Sequence, residues 1–125
     1  MRCPRCDKPL REVKFDEIVV DRCDTCSGVW FDFAELERIL NRDAHAMAAL
    51  VPEESLPPAR DADMLCCPRG GDTLIRIRAE PEGILYYTCL TCYGRWLDGS
   101  ELQRAAGRSL ASKFESVFRM LLDVA

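Results

Sequence analysis

The chain has 125 residues, 48% of them hydrophobic, and a formal charge of −4 from 17 basic and 21 acidic side chains. This suits one ordinary domain or two very small ones, excludes disorder throughout, and argues against a general nucleic-acid binder, whose footprint is a basic excess. The longest uninterrupted apolar run, Ala46 to Val51, is six residues, where a bilayer crossing needs roughly 20, so no membrane partner is expected.

The N-terminus, Met-Arg-Cys-Pro-Arg-Cys, carries neither the apolar stretch nor the small-residue cleavage site of a secretory signal. The expected location is therefore the cytoplasm. Thiols stay reduced there, so eight cysteines read as metal ligands or reactive groups rather than as a disulfide framework.

Two halves of the chain repeat. The first runs Cys3-Pro4-Arg5-Cys6, Leu10, Cys23-Asp24-Thr25-Cys26-Ser27-Gly28-Val29-Trp30-Phe31-Asp32 and Glu35-Leu36. The second runs Cys67-Pro68-Arg69-Gly70, Leu74, Cys89-Leu90-Thr91-Cys92-Tyr93-Gly94-Arg95-Trp96-Leu97-Asp98 and Glu101-Leu102. From Cys26 and from Cys92 alike, Gly, Trp, Asp and Glu follow in the same register. A repeat of this kind sets the architecture.

Within the first unit, Arg11 to Phe15 and Ile18 to Cys23 flank Asp16-Glu17 and read as two antiparallel strands. Val29 to Phe31 adds a candidate third strand. Asp32 with Glu35 gives a capping-box start to a helix that places Phe33, Leu36, Leu40, Met47 and Leu50 near one face. His45, the sole histidine, lies among alanines on that helix and reads as a solvent-facing or half-buried residue rather than a ligand. Val51 to Met64, with Pro52, Pro57 and Pro58 and no periodicity, reads as an extended acidic linker.

In the second unit Leu74 to Ala79 and Ile84 to Cys89 flank Glu80-Pro81-Glu82-Gly83, and Arg95 to Leu97 is again a candidate third strand. Asp98 with Glu101 starts a second helix, weakened at Gly107. Beyond it Leu110, Phe114, Val117, Phe118, Leu121 and Val124 form an apolar stripe. The expected fold is thus a small metal-stabilised α+β protein of two tandem zinc-ribbon β-hairpin units, each followed by a helix. Its divisions are 1–50, a linker at 51–65, and 66–125.

Cys3-x2-Cys6 and Cys23-x2-Cys26 are 16 residues apart, inside the spacing of a four-cysteine zinc site. Each tight knuckle aims two sulfurs at one point, and the hairpin brings the knuckles face to face, giving four thiolates about 2.3 Å from the metal. A redox Cys-x-x-Cys pair and an iron site are the competing readings. The second set is irregular, because Gly70 stands where the first has Cys6 and the spare thiol is Cys66. Three arrangements stay open: Cys66, Cys67, Cys89 and Cys92 together hold a second Zn2+; three of them leave an open site; or the unit keeps its fold by packing alone. Each unit without its helix is about 30 residues, below the roughly 40 at which a chain needs a metal, disulfides or a partner to fold. Trp30 and Trp96 read as packing plugs under their own ribbons.

The motif Cys-Pro-x-Cys, a hairpin, Cys-x-x-Cys-x-Gly-x-Trp and then Asp-x-x-Glu-Leu resembles the transcription-factor-IIB-type zinc ribbons of small bacterial proteins, over Cys3 to Leu36 fully and Cys67 to Leu102 without the counterpart of Cys6. The resemblance implies a zinc ribbon, with a transcription-associated role for many members.

No nucleophile elbow, phosphate-cradling glycine loop or paired His and carboxylate set is evident, so an enzyme is not expected. The expected function is a zinc-binding adaptor or regulator that contacts another protein, with Leu110 to Val124 either core or the seam of a homodimer. One alternative is nucleic-acid binding through Arg76, Arg78, Tyr86, Tyr87 and Arg95. The other is a thiol sensor that releases zinc on oxidation at Cys66-Cys67 or the second Cys-x-x-Cys.

Overall fold

A computed structural model of the protein describes residues 1–15, 18–35, 51–52, 54, 56–58, 64–79 and 83–106. Six strands are formed: β1 (Arg11–Phe15), β2 (Ile18–Arg22), β3 (Val29–Phe31), β4 (Ile75–Ala79), β5 (Ile84–Thr88) and β6 (Arg95–Leu97), followed by helix α1 (Gly99–Ala106). The two hairpins and both short third strands form where the alternating apolar runs predict them. The counterpart helix starts at residues 33–35. The rest of the helix expected there, with His45, and the stripe from Leu110 to Val124 lie outside the described residues.

All six strands belong to one antiparallel sheet in the order β1-β2-β3-β6-β5-β4. The repeats are joined edge to edge, because β3 pairs with β6 in the register Val29 to Leu97, Trp30 to Trp96 and Phe31 to Arg95. Each half presents its shortest strand at the seam, and that strand is fully buried. The sheet thereby covers two edges that separate ribbons would expose. Trp30 and Trp96 face each other at the centre of this register, as a local two-fold relation between the repeats requires.

Both tryptophans are fully buried packing groups, and each ring reaches into the opposite repeat. The ring of Trp96 lies against Gly28, where a Cβ would sit 2.6 Å from Cη2, and the ring of Trp30 lies against Gly94, where the same contact would be 2.7 Å. Real Cβ atoms do not approach so closely, so both positions need glycine for space. Each indole N–H donates to the aspartate two residues on, Trp30 to Asp32 at 3.1 Å and Trp96 to Asp98 at 3.0 Å. The same carboxylates accept arginines from the opposite half. Arg5 grips Asp98 with two bonds of 2.9 and 3.0 Å, and Arg69 meets Asp32 at 3.0 Å. Arg5 also lies over the ring of Tyr87, 5.4 Å from its centroid.

Both tryptophans, Leu65, Leu74, Tyr87 and the cysteines Cys3, Cys23, Cys67 and Cys89 form a single buried cluster, with Cys6, Leu10, Cys26 and Cys92 packed against it. The described part of the Pro-rich segment is tied to the second half. Gln103 of α1 accepts the Leu56 N–H at 3.1 Å and donates to the Pro52 carbonyl at 3.0 Å. A Cβ at Gly99 would meet Leu56 and the Cys26 carbonyl, each at 2.8 Å, so both crowd this position. The segment that reads as a free linker from composition is therefore held at these points by one side chain of the helix.

Gly28→Ala is expected to destabilise the metal-loaded protein by about 1–3 kcal/mol, the usual cost of overpacking. Adding Trp96→Leu should recover part of that loss and Trp30→Leu none of it. Urea denaturation of the three variants checks this, and equal recovery by both leucines would contradict the exchange of rings between halves.

Candidate metal centre

Four Cys-x-x-Cys-type knuckles share one backbone design. In each, the N–H of the leading cysteine bonds a carbonyl five residues on, and its own carbonyl accepts the N–H four residues on. The pairs are Cys3–Lys8 and Asp7–Cys3, Cys23–Gly28 and Ser27–Cys23, Cys67–Asp72 and Gly71–Cys67, and Cys89–Gly94 and Tyr93–Cys89, all between 2.7 and 3.1 Å. The fourth residue after the leading cysteine is left-handed every time: Asp7 at φ 54°, Ser27 at 62°, Gly71 at 80° and Tyr93 at 61°. The hairpin β1–β2 brings the first two knuckles together, and β4–β5 does the same for the others.

In the first half Cys3, Cys6, Cys23 and Cys26 place all four sulfurs within 4.8 Å of one another. The Sγ atoms of Cys3 and Cys26 are 3.7 Å apart. Four sulfurs about 2.3 Å from a central zinc would stand about 3.8 Å from each other, and this separation matches that edge. It is far from the roughly 2.05 Å of a disulfide, and all eight cysteines are free. The Arg5 and Cys6 N–H groups each donate to the Cys3 sulfur at 3.3 Å, which holds it in place.

Cys67, Cys89 and Cys92 form the second group, again within 4.8 Å, with Cys67 and Cys92 3.7 Å apart. Cys66 is not in it. It is exposed and lies in an extended bridge to Thr73, and neighbouring residues of an extended chain face opposite ways. Cys67 turns inward, so Cys66 turns out, which removes the four-sulfur arrangement built on the adjacent pair.

Without a cation, burial and the neighbouring sulfurs favour the protonated form at Cys6, Cys26 and Cys92. Burial, then Cys26, pushes the Cys6 thiol up to about 11. Burial likewise takes Cys92 up to about 12, while its hydrogen bond to Cys3, with burial, raises Cys26. At Cys89 burial acts upward too, but N–H groups of Cys92 and Thr91 and the neighbouring sulfurs outweigh it and hold the thiol below its usual value. Metal binding must displace such protons, and the sites suit a divalent ion that acts as a cross-link.

The basic and aromatic face expected of a nucleic-acid reader is not assembled. Tyr86, Tyr87 and Arg95 are buried, and only Arg76 and Arg78 are exposed. Arg95 is 1% exposed; its guanidinium donates to the Thr88 hydroxyl and to the Tyr93 and Gly94 carbonyls. The cross-half pairs of Arg5 with Asp98 and Arg69 with Asp32 are features that cysteine counting passes over, although their signal is the repeated Pro-Arg and Trp-x-Asp. Next to Asp32, Asp21 is buried on β2, and burial together with Asp32 and Glu12 raises its carboxyl to about 6. Among the described residues no helix is long and apolar enough to cross a membrane.

Residues 2–42 match the model of a family described as transcription factor zinc-finger, the TFIIB-type zinc ribbon, and the match spans the whole first cysteine set. Comparison with characterised proteins and with solved structures finds no match.

Two outcomes are expected. Stripping metal with a chelator at neutral pH should abolish the cooperative melt and red-shift tryptophan emission, because structural zinc contributes roughly 10–16 kcal/mol in finger peptides. Retention of both signals would show that the sulfurs do not hold the sheet. Asp21→Asn should raise the melting temperature at pH 7.5. The raised carboxyl favours the protonated form in the fold, so its contribution is present at low pH and lost as pH rises through about 6. The advantage of Asn over Asp should accordingly vanish toward pH 4 when the two proteins are melted side by side.

Proposed function

We propose that the protein is a non-enzymatic zinc-ribbon adaptor that binds another protein through the second knuckle of its second half. The observation that carries this reading is Tyr93. It occupies a left-handed position, φ 61°, that costs an ordinary residue roughly 1–2 kcal/mol, and yet it is 46% exposed. The matching residue of the first half, with almost the same φ of 62°, is Ser27. The knuckle's backbone does not itself require a large aromatic side chain there, since Ser27 fills the same position, and backbone strain of this kind clusters where a protein meets its ligand.

Leu90 stands beside it in the same knuckle, 59% exposed, where the first half has Asp24. Phe33 meets the Tyr93 ring edge-on at a centroid distance of 6.3 Å, fixing its orientation from the first half. An aromatic anchor with an apolar neighbour is the usual centre of a protein contact. The acidic balance of the chain, made more negative by zinc held on thiolates, suits a partner with an apolar pocket framed by basic groups. The family description supports a component of transcription machinery as that partner.

Tyr93→Asn with Leu90→Asp tests the reading. The variant should keep its zinc and a stability within about 1 kcal/mol, since Asn accepts the left-handed backbone, and it should lose the partner that the wild type retains in quantitative co-purification. Unchanged retention would overturn the reading. So would wild-type binding to DNA or RNA with a steep log–log salt slope, the mark of phosphate contacts.

A further inference from the structure

The second cysteine cluster departs from the first at one corner, and that corner is open. Gly70 stands in the place of Cys6, yet the knuckle around it is unchanged. Cys67 N–H bonds the Asp72 carbonyl at 2.7 Å and Gly71 N–H the Cys67 carbonyl at 2.9 Å, against 2.7 and 3.0 Å for the same bonds from Cys3 and Asp7. The backbone therefore keeps the shape that delivers a fourth sulfur in the first half. A Cβ at Gly70 would meet only an Asp72 carboxylate oxygen, at 3.9 Å, and one at Gly71 would meet nothing within 4 Å. Both glycines are exposed. Among the described residues no further donor fills the gap: Cys66 faces away, and the Asp72 carboxylate does not join the group of atoms close enough to share an ion.

Zinc held by three protein donors keeps a position for an outside ligand, and charge selects the kind. A three-thiolate zinc carries a net −1, one unit less negative than the first site. Arg95 lies buried within electrostatic reach of Cys89 and Cys92, at the position that the first half gives to Val29. A buried guanidinium within electrostatic reach of the sulfurs favours an anionic fourth ligand over a neutral one, and a soft, sulfur-rich site favours sulfur.

We propose that Cys67, Cys89 and Cys92 hold a zinc ion whose fourth position takes a thiolate from outside the chain. The incoming thiol releases its proton to solvent, its sulfur forms the bond to the metal, and a water leaves. The proposal rests on the second cluster being a metal site and does not depend on a partner contact at Leu90 and Tyr93.

Full-length protein loaded with Co2+ gives the test. Two cobalt ions per chain are expected. Millimolar glutathione should shift the visible d–d bands of one of them and raise the sulfur-to-cobalt charge-transfer absorbance by about one part in seven, as seven coordinated thiolates become eight. Gly70→Cys, unstrained at this site, should show the higher absorbance from the start and no response. A peptide with a single cysteine, compared at the same concentration, tells a protein thiol from a small one: a response to either supports the proposal, and the stronger identifies the source. One cobalt per chain, a wild-type spectrum unmoved by both thiols, an equal shift with imidazole, or loss of a coordinated sulfur in Cys66→Ser would each overturn it.

Discussion

Two tryptophan rings, each seated on the glycine of the opposite repeat, hold this molecule in one piece. Trp96 on Gly28 and Trp30 on Gly94 occupy space that any side chain at either glycine would deny them. Their indole N–H groups fix Asp32 and Asp98, which in turn receive arginines from the far knuckles. The β3–β6 pairing, the charged clasps and the shared core all follow from that exchange. The Gly-x-Trp-x-Asp pattern thus serves as the joint between two ribbons, and it occurs twice because a two-fold joint needs both halves.

Metal and core are not separate layers here. Cysteines of both clusters belong to the same buried group as the tryptophans, and Arg5, between two ligands of the first cluster, reaches across to the aspartate ahead of α1. Against this symmetric frame, four differences in and beside the knuckles stand out. Asp24, Ser27, Val29 and Cys6 in the first half are answered by Leu90, Tyr93, Arg95 and Gly70 in the second. The first half keeps the complete tetrad and polar knuckle tips. Apolar knuckle tips, a buried cation at Arg95 and an incomplete tetrad fall in the second.

Much of this was legible in the sequence because it is local. Cysteine spacing sets the knuckles, and alternating apolar runs around polar breaks set the hairpins. What was not legible depends on partners far apart in the chain. Nothing within either repeat shows that Gly28 faces Trp96, so each tryptophan read as a plug for its own ribbon. Cys66 looked available as a ligand by proximity, but the extended backbone that buries Cys67 turns its neighbour outward. Tyr86, Tyr87 and Arg95 looked like a recognition face from residue type alone, whereas joining two hairpins into one sheet buries all three.

The exchange of rings can be observed directly by nuclear Overhauser contacts in the zinc-loaded protein. Cross-peaks from the Trp96 six-membered ring to Gly28 Hα, and from that of Trp30 to Gly94 Hα, with both glycine signals shifted upfield by the rings, are the predicted result. Contacts of Trp30 with Gly28 and Trp96 with Gly94, without the crossed pair, would mean that each ribbon closes on itself and would contradict the account.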